Sequence, residues 1–207
     1  YSDDETNEIL NKFQDKIKIF KSKKVSEYPA LNQIDLLQKA FEVSSGEVIC
    51  LLDADDYFKK NKVSKVRNFF EQNKSKNVLF DMPTIKDNNL FNNFKIKKKF
   101  FNKLWKTTIP SSSISIRRSF FKECIDTGLF INFNLLEIDF RINVYSQNIK
   151  KNFSILEDSL NVYRKTENSI MSNNKKFSIF WWKKRLQAHE FMKTIYLKNN
   201  IFYIFMD

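Results

Sequence analysis

Glu47-Val48-Ile49-Cys50-Leu51-Leu52-Asp53-Ala54-Asp55-Asp56 is the stretch that decides the fold of this chain. Five uncharged apolar residues read as a buried strand, and three carboxylates follow within four positions. Crowding like charges is unfavourable unless a cation or a polyhydroxyl ligand lies between them. An Asp-X-Asp at the C-terminal end of a strand projects two carboxylates from one loop, which suits a hard cation such as Mg2+ or Mn2+. In open α/β sheets that edge is also where ligands bind. The plainer alternative is an acidic turn that caps the next helix, since Asp favours N-caps.

Outward from this strand, apolar spacing alternates between strand and helix. Upstream, Tyr1-Ser2 reads as the tail of a strand, and Ile9, Leu10 and Phe13 predict a helix over 6–16. Lys18-Ile19-Phe20 predicts a short strand, and Pro29 opens a helix over 31–43 that Ser44-Ser45-Gly46 terminates. Downstream comes a helix over 62–73 with Val63, Val66, Phe69 and Phe70 on one face, then a strand over 77–81. Strand character returns over 111–116, followed by a helix over 118–127 that Gly128 stops. A helix over 136–145 carries Glu137 and Asp139, residues 156–163 are extended, and one long helix covers 173–199. Such alternation predicts an α/β sheet with helices on both faces. Residues 88–106 interrupt it with Lys95, Lys97, Lys98, Lys99, Lys103 and Lys106 among Phe94, Phe100, Phe101 and Trp105. That mixture fits a flap over a substrate cleft, or a single-stranded nucleic-acid surface.

Composition prunes the mechanisms. The 207 residues suit one domain, or one with a helical appendage, and 22 Phe supply a core. With only Gly46 and Gly128, neither a G-x-G-x-x-G nor a Walker A loop can be built. The single histidine, His189, rules out His-rich zinc sites and argues against a Ser-His-Asp triad. Two cysteines, Cys50 and Cys124, fit a reducing cytoplasm, and no apolar run is long enough to span a membrane. The net charge of +12 invites an anionic partner: a phosphate-bearing substrate, an acidic membrane surface or nucleic acid. A general Lys/Asn/Ile/Phe preference gives the same charge without such a partner. If the chain is an enzyme, its chemistry rests on carboxylates, a metal and basic side chains.

Four segments, in order and spacing, resemble family 2 glycosyltransferases of the GT-A fold. Residues 38–57, from Gln38 through Gly46-Glu47 to Asp53-Ala54-Asp55-Asp56-Tyr57, are similar to the family's central motif. Ser2-Asp3-Asp4-Glu5-Thr6-Asn7-Glu8 resembles the strand-end segment that contacts the nucleotide base. Leu136-Glu137-Ile138-Asp139-Phe140-Arg141 resembles the segment that supplies the catalytic base, and residues 162–170 resemble the Tyr-Arg-x-His-x-x-Ser stretch that closes the domain.

The resemblance implies an α/β/α sandwich around a mostly parallel mixed sheet. Residues 1–172 would form the catalytic domain and 173–207 a C-terminal helical extension. It also implies an inverting transferase that moves a sugar from a nucleotide diphosphate, UDP favoured, to a glycan or lipid-linked acceptor with Mn2+ or Mg2+. Asp55 would hold the metal with Asp53 beside it, or Asp53 would meet the ribose hydroxyls. Asp3 and Asp4 would face the base, Arg164 and Lys165 the diphosphate, and Glu137, with Asp139 close by, would take the acceptor proton. A cytoplasmic chain at the inner face of the membrane is expected, with helix residues Trp181–Lys193 lying on anionic lipid or packing on the domain.

The sequence also departs from the family's pattern. Its first strand has no counterpart before Tyr1, so either more chain precedes Tyr1 or the nucleotide pocket is incomplete. Gln38-Lys39-Ala40 replaces Asn-x-Gly, Leu136 and Glu137 replace Glu-Asp, and Thr166 replaces His. The Gln-x-x-Arg-Trp segment of processive synthases is missing, which implies single-sugar transfer. Two alternatives stand beside the enzyme: a catalytically lapsed GT-A domain acting as a binding module, and a basic nucleic-acid-binding protein.

Overall fold

The computed structural model describes residues 5–20, 23–94, 108–165 and 175–201. After α1 (Thr6–Asn11) and α2 (Pro29–Val43) come β1 (Val48–Cys50), β2 (Tyr57–Phe58) and α3 (Lys62–Gln72). The hairpin-bearing middle follows as β3 (Val78–Asp81), β4 (Thr84–Asp87) and β5 (Leu90–Asn93). Then come β6 (Ile114–Arg117), α4 (Arg118–Asp126), α5 (Ile138–Val144), β7 (Phe153–Leu156), β8 (Asn161–Arg164) and α6 (Ile179–Lys198).

The main sheet has the order β1-β6-β3-β7. Strands β1 and β3 both run antiparallel to β6, and β7 runs parallel to β3. Three of its four strands therefore share one direction, with β6 opposed. A smaller sheet, β2-β8-β4-β5, stands beside it.

Side chains alternate across the main sheet and feed two cores. Val78, Phe80, Ile114 and Ile116 face one side, where Ile34 of α2, Phe120 and Phe121 of α4, Ile142 of α5 and Phe191 and Met192 of α6 meet them. Leu79 points the other way, to Val66 and Phe70 of α3, with Val48 and Cys50 beside it. The result is the three-layer α/β/α arrangement. Each fully buried Phe or Ile contributes about 1.5–3 kcal/mol of transfer free energy, so β3 and β6 are the best-anchored strands.

Local sequence explains most boundaries. Pro29 occupies the first turn of α2, where its missing N–H is no loss. Gly128 ends the turn after α4 at φ 72, a left-handed conformation that glycine adopts without strain.

Several expectations are corrected. Lys18-Ile19-Phe20 is not a strand: it joins no ladder among the described residues, and Ile19 and Phe20 are exposed. The first helix stops at Asn11 and buries nothing, so spacing alone did not extend it to residue 16. In α3 the inward stripe is Lys62-Val66-Phe70 at i, i+4, i+8, and Val63 is 66% exposed. A lysine takes the inward place because Asp81 is buried opposite it. Residues 84–93 form a β4–β5 hairpin through left-handed Asn88, which sequence reading did not anticipate. The helix expected over 136–145 begins at Ile138, so Glu137 is its N-cap, and it continues past Val144 as a wider π-type turn to Lys150. The extended region over 156–163 resolves into β7 and β8. Helix α6 starts at Ile179, capped by the Ser178 hydroxyl. The cationic stretch from Lys95 to Lys106 lies outside the described residues.

Candidate active site

The acidic loop leaves the sheet where β1 ends. Leu51 N–H still reaches the Ile114 carbonyl at 3.0 Å, after which Asp56 N–H donates to the Asp53 carbonyl at 3.1 Å. That second bond closes a turn, so Asp53, Asp55 and Asp56 project from one short arc. The arc is moored from three sides. Ser112 Oγ accepts the Asp53 N–H at 3.0 Å, Gln33 of α2 donates to Asp53 Oδ1 at 3.2 Å, and Asp56 Oδ1 accepts the Arg164 N–H at 2.9 Å. The Arg164 guanidinium also donates to the Asp55 carbonyl.

Crowding shows in the protonation equilibria. Burial pushes the Asp53 carboxyl up; the Ser111 hydroxyl opposes this, and Asp56 and Asp55 add to it. Asp56 is also raised, by burial first, and its second oxygen is buried without a hydrogen-bond partner. An orphaned carboxylate oxygen is expensive to leave unmet.

A second segment comes to the same edge from far along the chain. Residues 129–137 form an irregular loop in which Asn132 and Phe133 sit at φ 59 and φ 56. Non-glycine residues rarely hold that conformation. Here the buried Arg141 side chain organises it, donating to the carbonyls of Leu129, Ile131, Asn132, Phe133 and Leu136. Burial lowers the Arg141 pKa to about 10. The loop delivers Glu137 to the N-cap of α5, where its carboxylate pairs with Lys184 of α6, and Asp139 to the first turn of that helix. Asp139 is pushed up to about 7, by burial and then by Glu137 and Asp53, against the Phe140 N–H that its Oδ1 accepts at 2.7 Å. The structure thus brings Asp53 and Asp139 into mutual electrostatic reach.

The ring of Tyr163 stands at the same place. Its hydroxyl pKa is raised by burial and then by Asp56, Asp55, Asp139 and Asp53. Strand β8 positions it: Val162 pairs with both Tyr57 and Thr84, and Tyr163 follows opposite Ile85.

Of the residues expected from sequence, the structure gathers Asp53, Asp55, Asp139 and Arg164, with Glu137 beside Asp139. Lys165 turns away to Asp87, an exposed ion pair at 2.7 Å, so it is not placed to meet a diphosphate at the loop. Asp3 and Asp4 lie outside the described residues. Sequence reading missed Gln33, Ser111, Ser112, Tyr163 and Lys184 as parts of the site. Only Tyr163 carried a signal, because it lies within the segment that resembles the family.

Among the described residues, no three His, Cys, Asp or Glu side chains are arranged to hold a metal ion. Two carboxylates on one loop nevertheless match what Mg2+ or Mn2+ takes from a protein when substrate phosphates complete the coordination.

A three-layer α/β/α arrangement with an acidic turn where β1 ends, and a second carboxylate segment facing it, matches the GT-A class of domain. The chain belongs to Glycosyl transferase family 2, whose sequence profile matches residues 1–125. It is similar in fold to S. aureus TarS 1–349 in complex with UDP-GlcNAc, with TM-score 0.65 and 19% identity over 92% of this chain and 54% of that one. A second structure of S. aureus TarS 1–349 matches with TM-score 0.53 and 18% identity, over 95% of this chain and 60% of that one. S. aureus TarS matches with TM-score 0.55 and 18% identity, over 95% of this chain and 36% of that one. This chain thus spans about half the length of the TarS 1–349 chain that it matches. No curated protein matches the sequence.

Proposed function

We propose that this chain is the donor-binding and catalytic part of an inverting glycosyltransferase that uses a nucleotide-diphosphate sugar. The observation that carries the reading is the meeting of the Asp53–Asp55–Asp56 turn with Asp139, 86 positions beyond Asp53. Nothing in folding requires four carboxylates at one sheet edge, and a cationic or polyhydroxyl ligand accounts for them. A UDP-sugar is the favoured donor, because a TarS chain of the same fold is described in complex with UDP-GlcNAc.

Asp55 and Asp53 are suited to hold Mg2+ or Mn2+ on the diphosphate, with Asp53 alternatively meeting the ribose. When bound, such an ion would neutralise the charge that builds on the leaving group. Asp3 and Asp4 are assigned to the base by resemblance to the family. The Arg164 guanidinium, which donates to the Asp55 carbonyl, is assigned to the diphosphate by the same resemblance. In the reaction the acceptor oxygen attacks the anomeric carbon as the bond from that carbon to the phosphate oxygen breaks. The acceptor proton passes to a carboxylate on the opposite face, which we assign to Glu137 or Asp139. Asp139, near neutrality at about 7, is matched to that task.

The acceptor is a glycan or a lipid-linked glycan. The start of α6 exposes Phe177, Ile179, Phe180 and Trp182 among Lys175, Lys176 and Lys183, a pattern suited to peripheral contact with an anionic inner membrane face from the cytoplasm. No described helix is long and apolar enough to cross a membrane. A lapsed domain that only binds is the second reading, favoured by the altered motif residues Leu136, Glu137 and Thr166.

Release of UDP from UDP-GlcNAc by the full chain in Mn2+ tests the enzyme reading. Metal-dependent turnover that falls in both Asp55→Ala and either Glu137→Gln or Asp139→Asn supports it. Nucleotide binding without turnover selects the lapsed domain, and neither binding nor turnover ends the proposal.

A further inference from the structure

Helix α6 grips the segment that carries Glu137 at two points one turn apart. Lys184 Nζ donates to Glu137 Oε1 at 2.5 Å, with the two side chains only 22% and 20% exposed. Three residues on, Gln187 Oε1 accepts the Leu135 N–H at 3.0 Å, and its Nε2 donates to Asn134 Oδ1 at 2.7 Å. Residues three apart share a helix face, so both contacts come from one side of α6.

The helix itself is firmly seated. Phe191 and Met192 are in the main core, and the Phe191 ring lies 5.6 Å from Phe133 and 5.9 Å from Phe140. Arg141 holds the carbonyls of the same loop from the inside. The loop's own conformation is unfavourable at Phe133, whose φ of 56 is left-handed, so it needs such external fixing. A pair this shielded also holds its geometry better than an exposed ion pair, which water and salt loosen.

We infer that α6 is a positioning strap for the base-bearing loop. Lys184 orients the Glu137 carboxylate, and Gln187 fixes the backbone that leads to it. The kinetic part of this inference rests on the proposed role of Glu137; the structural part does not. Lys184 is a positioning residue here, since it acts on substrate only through Glu137.

Two measurements on the full chain test the inference. In amide hydrogen exchange, Gln187→Ala speeds exchange of the 133–139 peptide by about tenfold or more while the β3 peptide keeps its protection. Unchanged exchange at 133–139 overturns the strap. In UDP release from UDP-GlcNAc with Mn2+, Lys184→Met lowers kcat by about tenfold with the donor KM within about twofold, and Lys184→Arg restores most of the rate. In a Glu137→Gln background, Lys184→Met has no further effect, because the two residues act as one unit. An equal loss in that background shows that Lys184 acts by another route and overturns the inference. If Glu137→Gln turns over like the wild type, the Glu137 assignment fails, and the exchange measurement still decides whether α6 fixes the loop.

Discussion

Asp139→Asn isolates what crowded carboxylates do to this fold. The folded carboxyl is raised from 3.8 to about 7, mainly by burial and then by Glu137 and Asp53. In the unfolded chain the same group ionises near the ordinary value of about 3.9. As pH rises through that window the unfolded state gives up its proton first, and the folded state binds more protons than the unfolded one. Stability therefore falls with pH between about 4 and about 7 and stays lower above it. A difference of about three pKa units corresponds to roughly 4 kcal/mol, and relaxation around a partly solvated group brings the expectation to about 2–4 kcal/mol. Asparagine keeps an Oδ1 acceptor for the Phe140 N–H and removes the charge. Urea denaturation of wild type and variant in EDTA, at about pH 4 and about pH 8, reads the effect. The variant gains about 2–4 kcal/mol at the higher pH and less than about 1 at the lower. A difference that is the same at both pH values shows that the Asp139 carboxyl is not raised in the folded chain. The variant should also turn over more slowly, a trade of activity against stability.

Other changes act on the frame that holds the site. Lys62→Met strands the buried Asp81 carboxylate, which also accepts the Leu160 N–H, and is expected to destabilise by about 3–5 kcal/mol in a denaturant titration. Replacing Asp81 by Leu in the same chain should return most of that. Arg141→Met leaves five loop carbonyls without their donor, and since some of them reach water the expected loss is about 3–5 kcal/mol, with exchange protection over residues 129–137 lost before that of β3. Gly128→Ala meets only Ile131 Cδ1 at 3.5 Å, so its loss of about 1–2 kcal/mol reflects the φ of 72 alone and should appear as a lower Tm.

The sequence made the Asp53–Asp56 loop, the strand before it and most helices legible because apolar spacing and turn residues acted locally. What it hid depended on partners distant in the chain. Lys62 reads as a surface lysine until Asp81 is found opposite it, and the inward stripe of α3 turns with it. Ile19 and Phe20 look like a strand, yet a strand exists only where a neighbour pairs with it, and none of the described residues does. The β4–β5 hairpin had its signal in Asn88-Asn89, since asparagine tolerates the left-handed turn, but without a glycine or strict alternation in the flanking residues that signal is weak. Within the site, Asp53 and Asp55 follow from the motif alone. Tyr163, Ser112 and Lys184 become site residues only once β8, the Ser111–Ser113 turn and α6 are folded against the loop.

The claim that the Asp53–Asp55 turn is a diphosphate and metal clamp is tested most directly by calorimetric titration of the full chain with UDP-GlcNAc, with and without Mn2+, in wild type and Asp55→Ala. Binding is expected to strengthen with Mn2+ in the wild type and to lose that dependence in Asp55→Ala, with the fold unchanged by circular dichroism. Binding equally strong in EDTA and in Mn2+, or unaltered by Asp55→Ala, contradicts that claim.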